Sequence, residues 1–343
     1  MLKAYRDLRK QLRAPMVRRR RRQRLLDETY RQFTLAGVTQ PKVTIAPSSE
    51  PLAPTDVIFE KTGNNRITAL IDEHWRWPLL VETRNKFACY AYWLNQTPDS
   101  VRRITANASD GCFPTAADYK FATTSDRYTP LPDAYFFRDR GYSETDAFAK
   151  QNPVAWHDRS DDIVWRGVPS GMGIFDLDPH LADNPLVIQR LRMAMKCRDL
   201  DVDFRFVACP DKAYERLIEE AGLVGGYIPT NDWGQMKYAI DIDGFTNAWN
   251  NFMQRLKLGC CVLKVDSPMG YYQWYYHKLT PWEHYVPIRA DLSDLAEQID
   301  WVKTNPGKAR EIAANGQSVA RALTFESETQ VAREAIEKRE AAT

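Results

Sequence analysis

Residues 236–265 read MKYAIDIDGFTNAWNNFMQRLKLGCCVLKV, and this stretch decides the class of fold. The apolar residues of 236–242 predict a buried strand that stops at an Asp-Gly pair. Residues 247–258 have helical periodicity and end before a glycine, after which 261–265 predict a second strand. A strand, a helix and a strand in such short succession are typical of a βαβ unit with parallel strands.

The same alternation continues on both sides of this stretch. Further strands are predicted at 163–165, 202–208 and 285–288, and helices at 184–197, 212–221, 271–278, 292–303 and 306–323. The first half is less regular, with helical spacing at 3–35 (broken near Pro15) and 72–95, a Pro-rich linker at 41–54, and short strands at 57–59 and 103–108. The second half is therefore predicted to be an α/β domain around a mainly parallel sheet.

The turn after the strand at 236–242 is a candidate anion site. Gly244 permits a tight turn, and Thr246 or Asn247 can cap the helix that follows. Backbone N–H groups at a helix N-terminus attract phosphate, and ligands of open α/β sheets bind beyond the carboxyl ends of strands. An ordinary βα turn has the same pattern, so both interpretations stay open.

A second candidate is the turn Arg166-Gly167-Val168, which follows the strand predicted at 163–165. An arginine at a strand end, beside small residues, suits contact with a phosphate. The alternative is an arginine that pairs with a surface carboxylate. Asp110, in the turn Ser109-Asp110-Gly111, is either a general base or a simple turn residue.

Composition describes a folded globular protein. The chain has 343 residues, enough for two domains, and 44% are hydrophobic. The six cysteines show no C-x-x-C spacing, so buried free thiols are expected rather than disulfides or a zinc site. No run reaches the roughly 18 apolar residues of a membrane span, and the first residues lack the apolar core of a signal peptide. A cytoplasmic protein is expected.

Charge is distributed unevenly along the chain. Residues 1–24 contain eleven basic residues and one acidic residue, a charge of +10, which leaves −8 for the rest of a chain whose net charge is +2. The consecutive arginines Arg18–Arg22 form a block of like charge that repels itself and needs a partner or solvent, and the basic stretch extends to Arg24. An anionic membrane surface is the partner that we favour. A solvated helix end and a nucleic acid are the alternatives, and no specific nucleic acid is expected.

Four blocks of sequence occur in a specific order. They are IVWRGVPSG at 163–171, MKYAIDIDGFTNAW at 236–249, LGCCVLKV at 258–265 and LTPWEHYVPIRADLSDLAEQIDWV at 279–302. Together, residues 163–325 resemble glycosyltransferase family 90, which contains capsule-associated enzymes, protein O-glucosyltransferases and bacterial lipopolysaccharide enzymes. The resemblance is weaker over 60–160 and absent over 1–50. The DGxxNAW form of the second block favours the bacterial branch.

The resemblance implies an α/β fold of GT-B type, in which two Rossmann-like domains face a central cleft. A basic arm and Pro-rich linker would occupy 1–50, an acceptor-side domain 51–155, and a nucleotide-sugar donor domain 156–317. A C-terminal helix at about 318–343 would return to the acceptor-side domain.

The resemblance also implies a reaction and a site. It implies inverting transfer from a nucleotide sugar, UDP-linked, with no cofactor and no metal. Asp110 aligns with the catalytic carboxylate of the family. The donor-binding residues implied by the alignment are Arg166, Gly167, Val168, Lys237, Asp243, Gly244, Phe245, Thr246, Asn247, Ala248, Trp249 and Asn250.

Three positions depart from the family pattern. Val168 replaces a serine, and two family arginines are missing, one from the segment at 248–251 and one before Pro185. Both missing arginines remove positive charge, so neutralisation of the diphosphate would depend on Arg166, the helix end, and Lys237 or Lys264.

We therefore expect a cytoplasmic glycosyltransferase, peripheral on the inner face of the cell membrane. It would add a sugar to the lipopolysaccharide core or to a related envelope glycan or glycolipid. Asp110 would take the proton of the acceptor hydroxyl. The alternatives are a protein O-glycosyltransferase, a non-catalytic nucleotide-sugar-binding protein on the same scaffold, and a nucleic-acid binder led by the basic arm.

Overall fold

The computed structural model describes residues 2–72, 83–209 and 211–342, with side chains from residue 19 onward. The chain forms two compact units, Met1–Gly141 with Phe325–Thr343, and Tyr142–Thr324. Each contains a β-sheet with helices packed on it, so the α/β class is confirmed. The sequence placed the boundaries at 155/156 and 317/318. Residues 73–82 of the stretch expected to be helical lie outside the described residues.

The elements are numbered in chain order. The strands are β1 (Lys42–Pro47), β2 (Asp56–Gly63), β3 (Arg66–Ile71), β4 (Arg103–Asn107), β5 (Tyr119–Lys120), β6 (Ala122–Thr123), β7 (Thr129–Pro130), β8 (Ser160–Gly167), β9 (Asp203–Phe206), β10 (Met236–Asp241), β11 (Cys261–Val265), β12 (Tyr272–Gln273) and β13 (Val286–Ile288). The α-helices are α1 (Leu2–Ala36), α2 (Phe87–Gln96), α3 (Ala134–Arg138), α4 (Ser143–Gln151), α5 (Gln189–Lys196), α6 (Lys212–Glu220), α7 (Asn251–Lys257), α8 (Leu295–Thr304), α9 (Pro306–Ala322) and α10 (Phe325–Ala341).

The first unit is built on a mixed sheet with the strand order β1-β3-β2-β4-β5-β7. Strand β2 pairs antiparallel with β3 and with β4, whereas β1 runs parallel to β3. An aromatic cluster joins its helices: Phe137 contacts Phe33 of α1, Trp93 of α2 and Phe325 of α10, with ring centroids 5.6–6.1 Å apart. The C-terminal helix α10 is thereby part of this unit.

The N-terminal region differs from the expected arm and linker. Helix α1 is continuous through Pro15, where a break was expected, and from Leu25 onward it is packed into the unit. The Pro-rich stretch contains strand β1, in which Val43 is buried. A proline-bounded strand is compatible with this position because β1 is at the edge of the sheet, where the missing N–H interrupts no ladder.

The second unit contains a five-stranded, fully parallel sheet with the order β13-β11-β10-β8-β9. The central strands β10 and β11 are buried almost throughout, as expected of strands covered by helices on both faces. Helix α7 connects them, and Gly259 ends it with φ +78°, a backbone angle that favours glycine. The βαβ unit predicted from the deciding stretch is confirmed.

Two helices expected in this unit are not formed as predicted. Helix α7 begins at Asn251 rather than at 247, because Asn247 bonds to the carbonyl of Tyr271 and Trp249 has φ +32°, outside the helical region. Residues 271–278 form β12 and a 3-10 turn instead of a helix. Trp274 and Tyr275 are both buried, and a helix would have turned consecutive aromatic side chains in different directions.

Within the described ranges, no helix is both long enough and apolar enough to cross a membrane.

Candidate active site

A cavity of about 250 Å³ opens at the carboxyl edge of the parallel sheet in the second unit. Its walls come from the loops that follow β8, β10 and β11, at residues 170–173, 243–245 and 267–269, together with 185–187. Ligands of open α/β sheets bind at this edge. The structure therefore brings Asp243, Gly244 and Phe245 together with the glycine-containing loop 170–173 at this cavity.

The loop at 170–173 depends on its glycines. Gly173 has φ +130°, and a Cβ added there would lie 2.5 Å from the carbonyl oxygen of Leu186. Gly171 has φ +156°, and its Cβ would lie 2.9 Å from the side chain of Ile188. The backbone therefore passes close to the segment 185–188, which keeps backbone groups at the cavity wall.

Arg190, on α5, fixes two of these loops with respect to each other. Its Nη1 donates to Val168 O at 3.0 Å and to Ser170 Oγ at 2.8 Å, and its Nη2 donates to Ile242 O at 2.9 Å. Burial lowers the pKa of Arg190 to about 10, and the carboxylates of Asp243 and Asp241 oppose this effect. Its Nε has no partner within the described part of the chain. A buried guanidinium therefore lies directly behind the cavity.

Arg192 supplies a positive charge on the cavity wall itself. Its Nε donates to Ala182 O at 3.1 Å and its Nη2 to Asp291 O at 2.7 Å, which hold the guanidinium in place. We find no protein acceptor for its Nη1 among the described residues. An arginine anchored in this way retains a donor for an anionic ligand.

The turn after β10 carries acceptors that the described chain leaves without donors. They are Asp243 Oδ2, Thr246 Oγ1 and Asn247 Oδ1, all buried. Buried polar atoms are usually hydrogen-bonded to protein, water or ligand. Asp243 is the one of these three residues that lines the cavity.

Lys264 neutralises the carboxylates beneath this turn. Its Nζ lies 3.0 Å from Asp241 Oδ2 and 3.3 Å from Asp243 Oδ1, and all three side chains are buried. Although burial opposes its charge, the two carboxylates raise the pKa of Lys264. Lys264 therefore balances Asp241 and Asp243 instead of facing the cavity.

Arg166 is placed differently from the donor contact that the alignment implied. Its Nη2 forms an ion pair with Asp203, its Nη1 donates to the carbonyls of Trp165 and Asp203, and its Nε donates to Gly226 O at 3.0 Å. The guanidinium thus connects β8, β9 and the loop at 226. The carboxylate-pairing alternative describes this arginine, and it does not line the cavity.

Lys237 lies near the start of β10, whereas the turn at Asp243 follows its end. Its ammonium pairs with Asp161 at 2.7 Å. The amino and carboxyl ends of a strand lie at opposite edges of a sheet, so Lys237 does not reach the cavity. The prediction that it neutralises the diphosphate is corrected for this reason.

The remaining predicted donor residues lie around the cavity without lining it. Val168 O accepts from Arg190 and Gly167 O accepts from Val207 N, so these backbone groups hold the loop. Ala248 is buried, and Asn250 bonds to Gln254 on α7. Because α7 begins only at Asn251, the amides of 245–247 belong to a loop and not to a helix N-terminus.

Asp110 belongs to the first unit, three residues after β4. Its carboxylate forms an ion pair with the ammonium of Lys86, which immediately precedes α2. The Asp110 side chain is 30% exposed and that of Lys86 is 3% exposed. Solvent therefore reaches the carboxylate, while its cationic partner is buried behind it. The sequence did not connect these two residues.

A buried polar network fixes the turn that carries Asp110. Asn107 donates to Asp56 Oδ1 at 2.7 Å and accepts from Ser109 N at 3.1 Å, and Ser109 Oγ accepts from Gly111 N at 3.0 Å. Burial raises the pKa of the neighbouring Tyr135; the charge of Lys86 opposes this effect, and the carboxylate of Asp110 adds to it. The tyrosine therefore stays a neutral phenol near the ion pair at physiological pH.

No cluster of His, Cys, Asp and Glu side chains suited to a metal ion occurs in 2–72, 83–209 or 211–342.

A family model described as Glycosyl transferase family 90 matches residues 201–328 of the chain. Human protein O-glucosyltransferase 3 is 42% identical over 110 residues, which cover 32% of this chain and 20% of the human protein. Protein O-glucosyltransferase 2 of Danio rerio is 43% identical over 167 residues, which cover 48% of this chain and 29% of the fish protein. The resemblance to glycosyltransferase family 90 is confirmed for this part of the chain.

The matched regions span less than a third of the length of these relatives. Among solved structures, an Anabaena protein, HepE, in complex with UDP-glucose is 13% identical with a TM-score of 0.35. That match covers 59% of this chain and 53% of the other.

Sequence reasoning missed Arg190, Arg192 and Lys86. A signal for the two arginines was present, because they are the charged residues of the mainly apolar run VIQRLRMAM at 187–195, in which Gln189 is the other polar residue. A charge within such a run must be buried with partners, and buried charges are costly unless they have a structural or functional use. Lys86 had no comparable signal, since its partner is 24 residues away.

Proposed function

We propose that this chain is an inverting glycosyltransferase that moves a sugar from a nucleotide sugar, UDP-linked, to a hydroxyl group of an acceptor. The observation that carries the proposal is the cavity at the carboxyl edge of the second unit, with Arg192 on its wall and Arg190 behind it. The match of residues 201–328 to glycosyltransferase family 90 supports the same reaction. A GT-B fold, with donor and acceptor on different domains, is part of this proposal.

The donor occupies that cavity in our proposal. Arg192 binds the diphosphate with its remaining N–H groups, and Arg190 adds positive charge behind the loops. These arginines take the place of the two family arginines that the sequence lacks. Asp243 accepts a hydrogen bond from a donor hydroxyl group. Guanidinium groups in a partly desolvated site stabilise the negative charge that grows on the leaving diphosphate, without a metal ion or another cofactor.

Asp110 is the general base of the proposed reaction. It accepts the proton of the acceptor hydroxyl as the oxygen forms a bond to the anomeric carbon. The bond from that carbon to the phosphate oxygen breaks, and its electron pair leaves with the nucleoside diphosphate. Attack opposite the leaving group inverts the anomeric centre. Lys86 orients the carboxylate and does not contact the substrate.

Two acceptor classes are proposed. The first is the lipopolysaccharide core or a related envelope glycan, because the DGxxNAW form resembles the bacterial branch of the family. The second is a protein hydroxyl group, which the names of the relatives favour. In the first case the enzyme is cytoplasmic, and the basic residues Arg18–Arg24 hold it on the inner face of the membrane. A labelled UDP-sugar offered with a core oligosaccharide or with a folded serine-containing domain separates the two.

A thermal-shift panel of nucleotide sugars tests the donor site. A ligand at a hundred times its Kd should stabilise the protein by about 2.7 kcal/mol, because it binds only the folded state. Arg192→Gln should weaken binding by about 10- to 100-fold, the range for one charge-assisted hydrogen bond.

Two further variants make this test specific. Arg198→Gln is the control, since this exposed arginine follows α5 but does not line the cavity. Arg192→Lys keeps the charge and guards against misfolding of the glutamine variant. The proposal fails if no nucleotide sugar raises the melting temperature. It also fails if Arg192→Gln binds the donor as tightly as the control Arg198→Gln and the wild-type protein do.

A further inference from the structure

A second cavity, of about 380 Å³, lies at the opposite, amino edge of the same sheet. Its walls come from the end of α4, the loop at 152–159 before β8, the turn at 231–235 before β10, and helix α9. Nothing in the proposed transfer reaction uses it. Its size is within the usual range of about 300–1,000 Å³ for small-molecule sites.

The charged side chains that line this cavity are all basic. They are Lys150, Arg159 and Arg321. The nearest carboxylate recorded with them is Asp146, which pairs with Arg321 Nε at 2.9 Å and with Lys150 Nζ at 2.6 Å. One carboxylate thus serves two cations, and Arg159 has no carboxylate partner within the described ranges. The cavity has an excess of positive charge.

The two arginines have N–H groups to offer a ligand. Arg159 uses Nε for Val154 O at 3.2 Å and Nη1 for Gly259 O at 2.7 Å, which leaves Nη2 without an acceptor in the described chain. Arg321 Nε lies 2.9 Å from Asp146 Oδ1 without forming a hydrogen bond, and its Nη1 and Nη2 have no acceptor among the described residues. Burial lowers the pKa of Arg159, and the charge of Arg321 lowers it further. An anion between the two guanidinium groups would remove this repulsion.

The rest of the lining suits hydroxyl groups. Side-chain amides surround the arginines at Asn152, Asn231, Gln235 and Gln317. An amide both donates and accepts, so it can bind a hydroxyl in either sense. Gln317 is held in place by a bond from its Nε2 to Lys257 O at 2.9 Å, which leaves its Oε1 as an acceptor.

We propose that this cavity binds a phosphomonoester of a sugar or another polyol, with the phosphate between Arg159 and Arg321 and the hydroxyl groups on the amides. The paired guanidinium groups provide bidentate recognition of phosphate. The cavity has room beyond the phosphate, and its amides match a polyol rather than an apolar body. The site is separate from the donor cavity, since the two line opposite edges of the sheet.

Titration calorimetry with glucose 6-phosphate, inorganic phosphate and glucose tests the proposal on the full chain. We expect one glucose 6-phosphate per chain with a Kd below about 1 mM. Inorganic phosphate should bind at least about tenfold more weakly, and glucose should give no detectable heat, because each lacks half of the recognised groups.

Four variants locate the binding. Arg321→Gln should weaken the binding of glucose 6-phosphate at least about tenfold, the effect of losing a charge-assisted contact. Lys150→Gln, at a side chain that is 59% exposed, should weaken it by a smaller factor and is safe for folding. Lys308→Gln is the matched control, because Lys308 lies on α9 with Arg321 but pairs with Glu311 outside the cavity. Arg192→Gln alters the donor cavity and should leave glucose 6-phosphate binding unchanged.

Three outcomes would overturn the proposal. The first is that wild-type protein binds none of the phosphates. The second is that folded Arg321→Gln and Lys150→Gln both bind as wild type does, or that Arg192→Gln loses the binding instead. The third is equal affinity for inorganic phosphate and glucose 6-phosphate, which would show that the cavity does not recognise the hydroxyl groups of a polyol.

Discussion

Asp110 and Lys86 form an ion pair whose two members have different tasks. The carboxylate is partly exposed and can meet an acceptor hydroxyl, whereas the ammonium is buried and can only position it. Asp110→Asn preserves shape and removes the proton acceptor. We expect the rate of transfer at saturating donor to fall by roughly 100- to 10,000-fold, the usual contribution of a general base. Single-turnover assays measure this directly.

Donor affinity of Asp110→Asn should stay close to that of wild type, because in the proposed reaction the carboxylate contacts the acceptor and not the donor. The variant should also lose some stability, since the buried ammonium of Lys86 loses its ion pair with the Asp110 carboxylate. The control is Asp118→Asn, which removes another ion-paired carboxylate, bound to Arg339 in the same unit. A folded Asp110→Asn protein with near-normal transfer would show that Asp110 only shapes its turn.

Loss of the Lys264 ammonium should cost substantial stability in the second unit. Lys264→Met keeps the shape of the side chain but removes the cation that forms ion pairs with the buried carboxylates of Asp241 and Asp243. Removing one partner of a buried pair costs about 3–5 kcal/mol. Urea unfolding at pH 8 measures this loss. Lys303→Met is the control, because its partner Asp201 is 93% exposed and surface pairs contribute at most about 1 kcal/mol.

The loss of stability in Lys264→Met should depend on pH in a defined direction. The raised pKa of Lys264 means that its contribution is fully present below the unfolded pKa of about 10.4 and is lost only as pH rises through the higher folded value. Wild-type stability should therefore show no Lys264-dependent change between pH 5 and 9. In Lys264→Met, an uncompensated buried carboxylate takes up a proton as pH falls, so the difference from wild type should narrow towards pH 5. A small loss that is constant with pH would contradict this assignment.

The residue types in the sequence identified which turns belong to the candidate site, but they did not identify the contact that each residue of a turn makes. Asp243 and Gly244 line the cavity as expected from a strand-turn pattern. Arg166 was a plausible phosphate ligand by position, but its donors are used by Asp203 and by backbone carbonyls. A sequence shows that an arginine follows a strand, but it does not show which acceptors surround the guanidinium. That information depends on contacts between distant segments.

At the scale of elements, the loop 170–173 shows how backbone conformation forms the cavity wall. Gly173→Ala would place a Cβ 2.5 Å from Leu186 O and 3.0 Å from Ile188 N, at φ +130°. We expect a loss of about 1–3 kcal/mol from backbone strain. Nucleotide-sugar affinity should fall as well, because the loop lines the donor cavity. Denaturant unfolding and the thermal-shift panel measure the two effects.

Gly226→Ala is the matched control for the loop variant. Gly226 lies in the same unit, its φ does not favour glycine, and a Cβ there would meet nothing within 4 Å. Its stability should change by no more than about 0.5 kcal/mol. If Gly173→Ala behaved as Gly226→Ala does, the close approach between 173 and 186 would not be a constraint on the cavity.

Periodicity predicted the elements whose side chains face a single core. Strand Cys261–Val265 has the predicted bounds, and α6 and α9 end within one residue of their predicted ends. The failures occurred where tertiary contacts override local preference. Residues 247–250 are not helical because Asn247 bonds to the segment after β11, and β1 is a strand because β3 provides a partner for it. Neither partner can be identified from local sequence.

At the scale of the whole molecule, charge separates the start of α1 from the rest of the chain. Residues 1–24 have a charge of +10, and the remaining residues have −8. Helix α1 is packed into the first unit at Leu25 and Phe33, whereas Arg19 and Arg20 are exposed. The packed part of the helix can therefore stay in place when the basic part is removed. The function of the basic residues can therefore be tested in a protein whose first unit stays folded.

Removing residues 1–24 should abolish co-sedimentation with vesicles that contain anionic lipid, because each basic residue near such a surface contributes about 1 kcal/mol. Turnover of a soluble acceptor fragment should remain nearly intact. A full-length variant with Arg18–Arg22 changed to Gln keeps the length of the helix and removes only charge, so it should also fail to sediment. The wild-type protein should not sediment with neutral vesicles, and 0.5 M salt should release it from anionic vesicles, since Debye screening at high salt weakens surface attraction.

Sedimentation of the truncated chain at low salt would show that another surface binds the membrane. Salt-sensitive binding to DNA of any sequence, lost on the same truncation and absent with vesicles, would instead favour a nucleic acid as the partner of the arm.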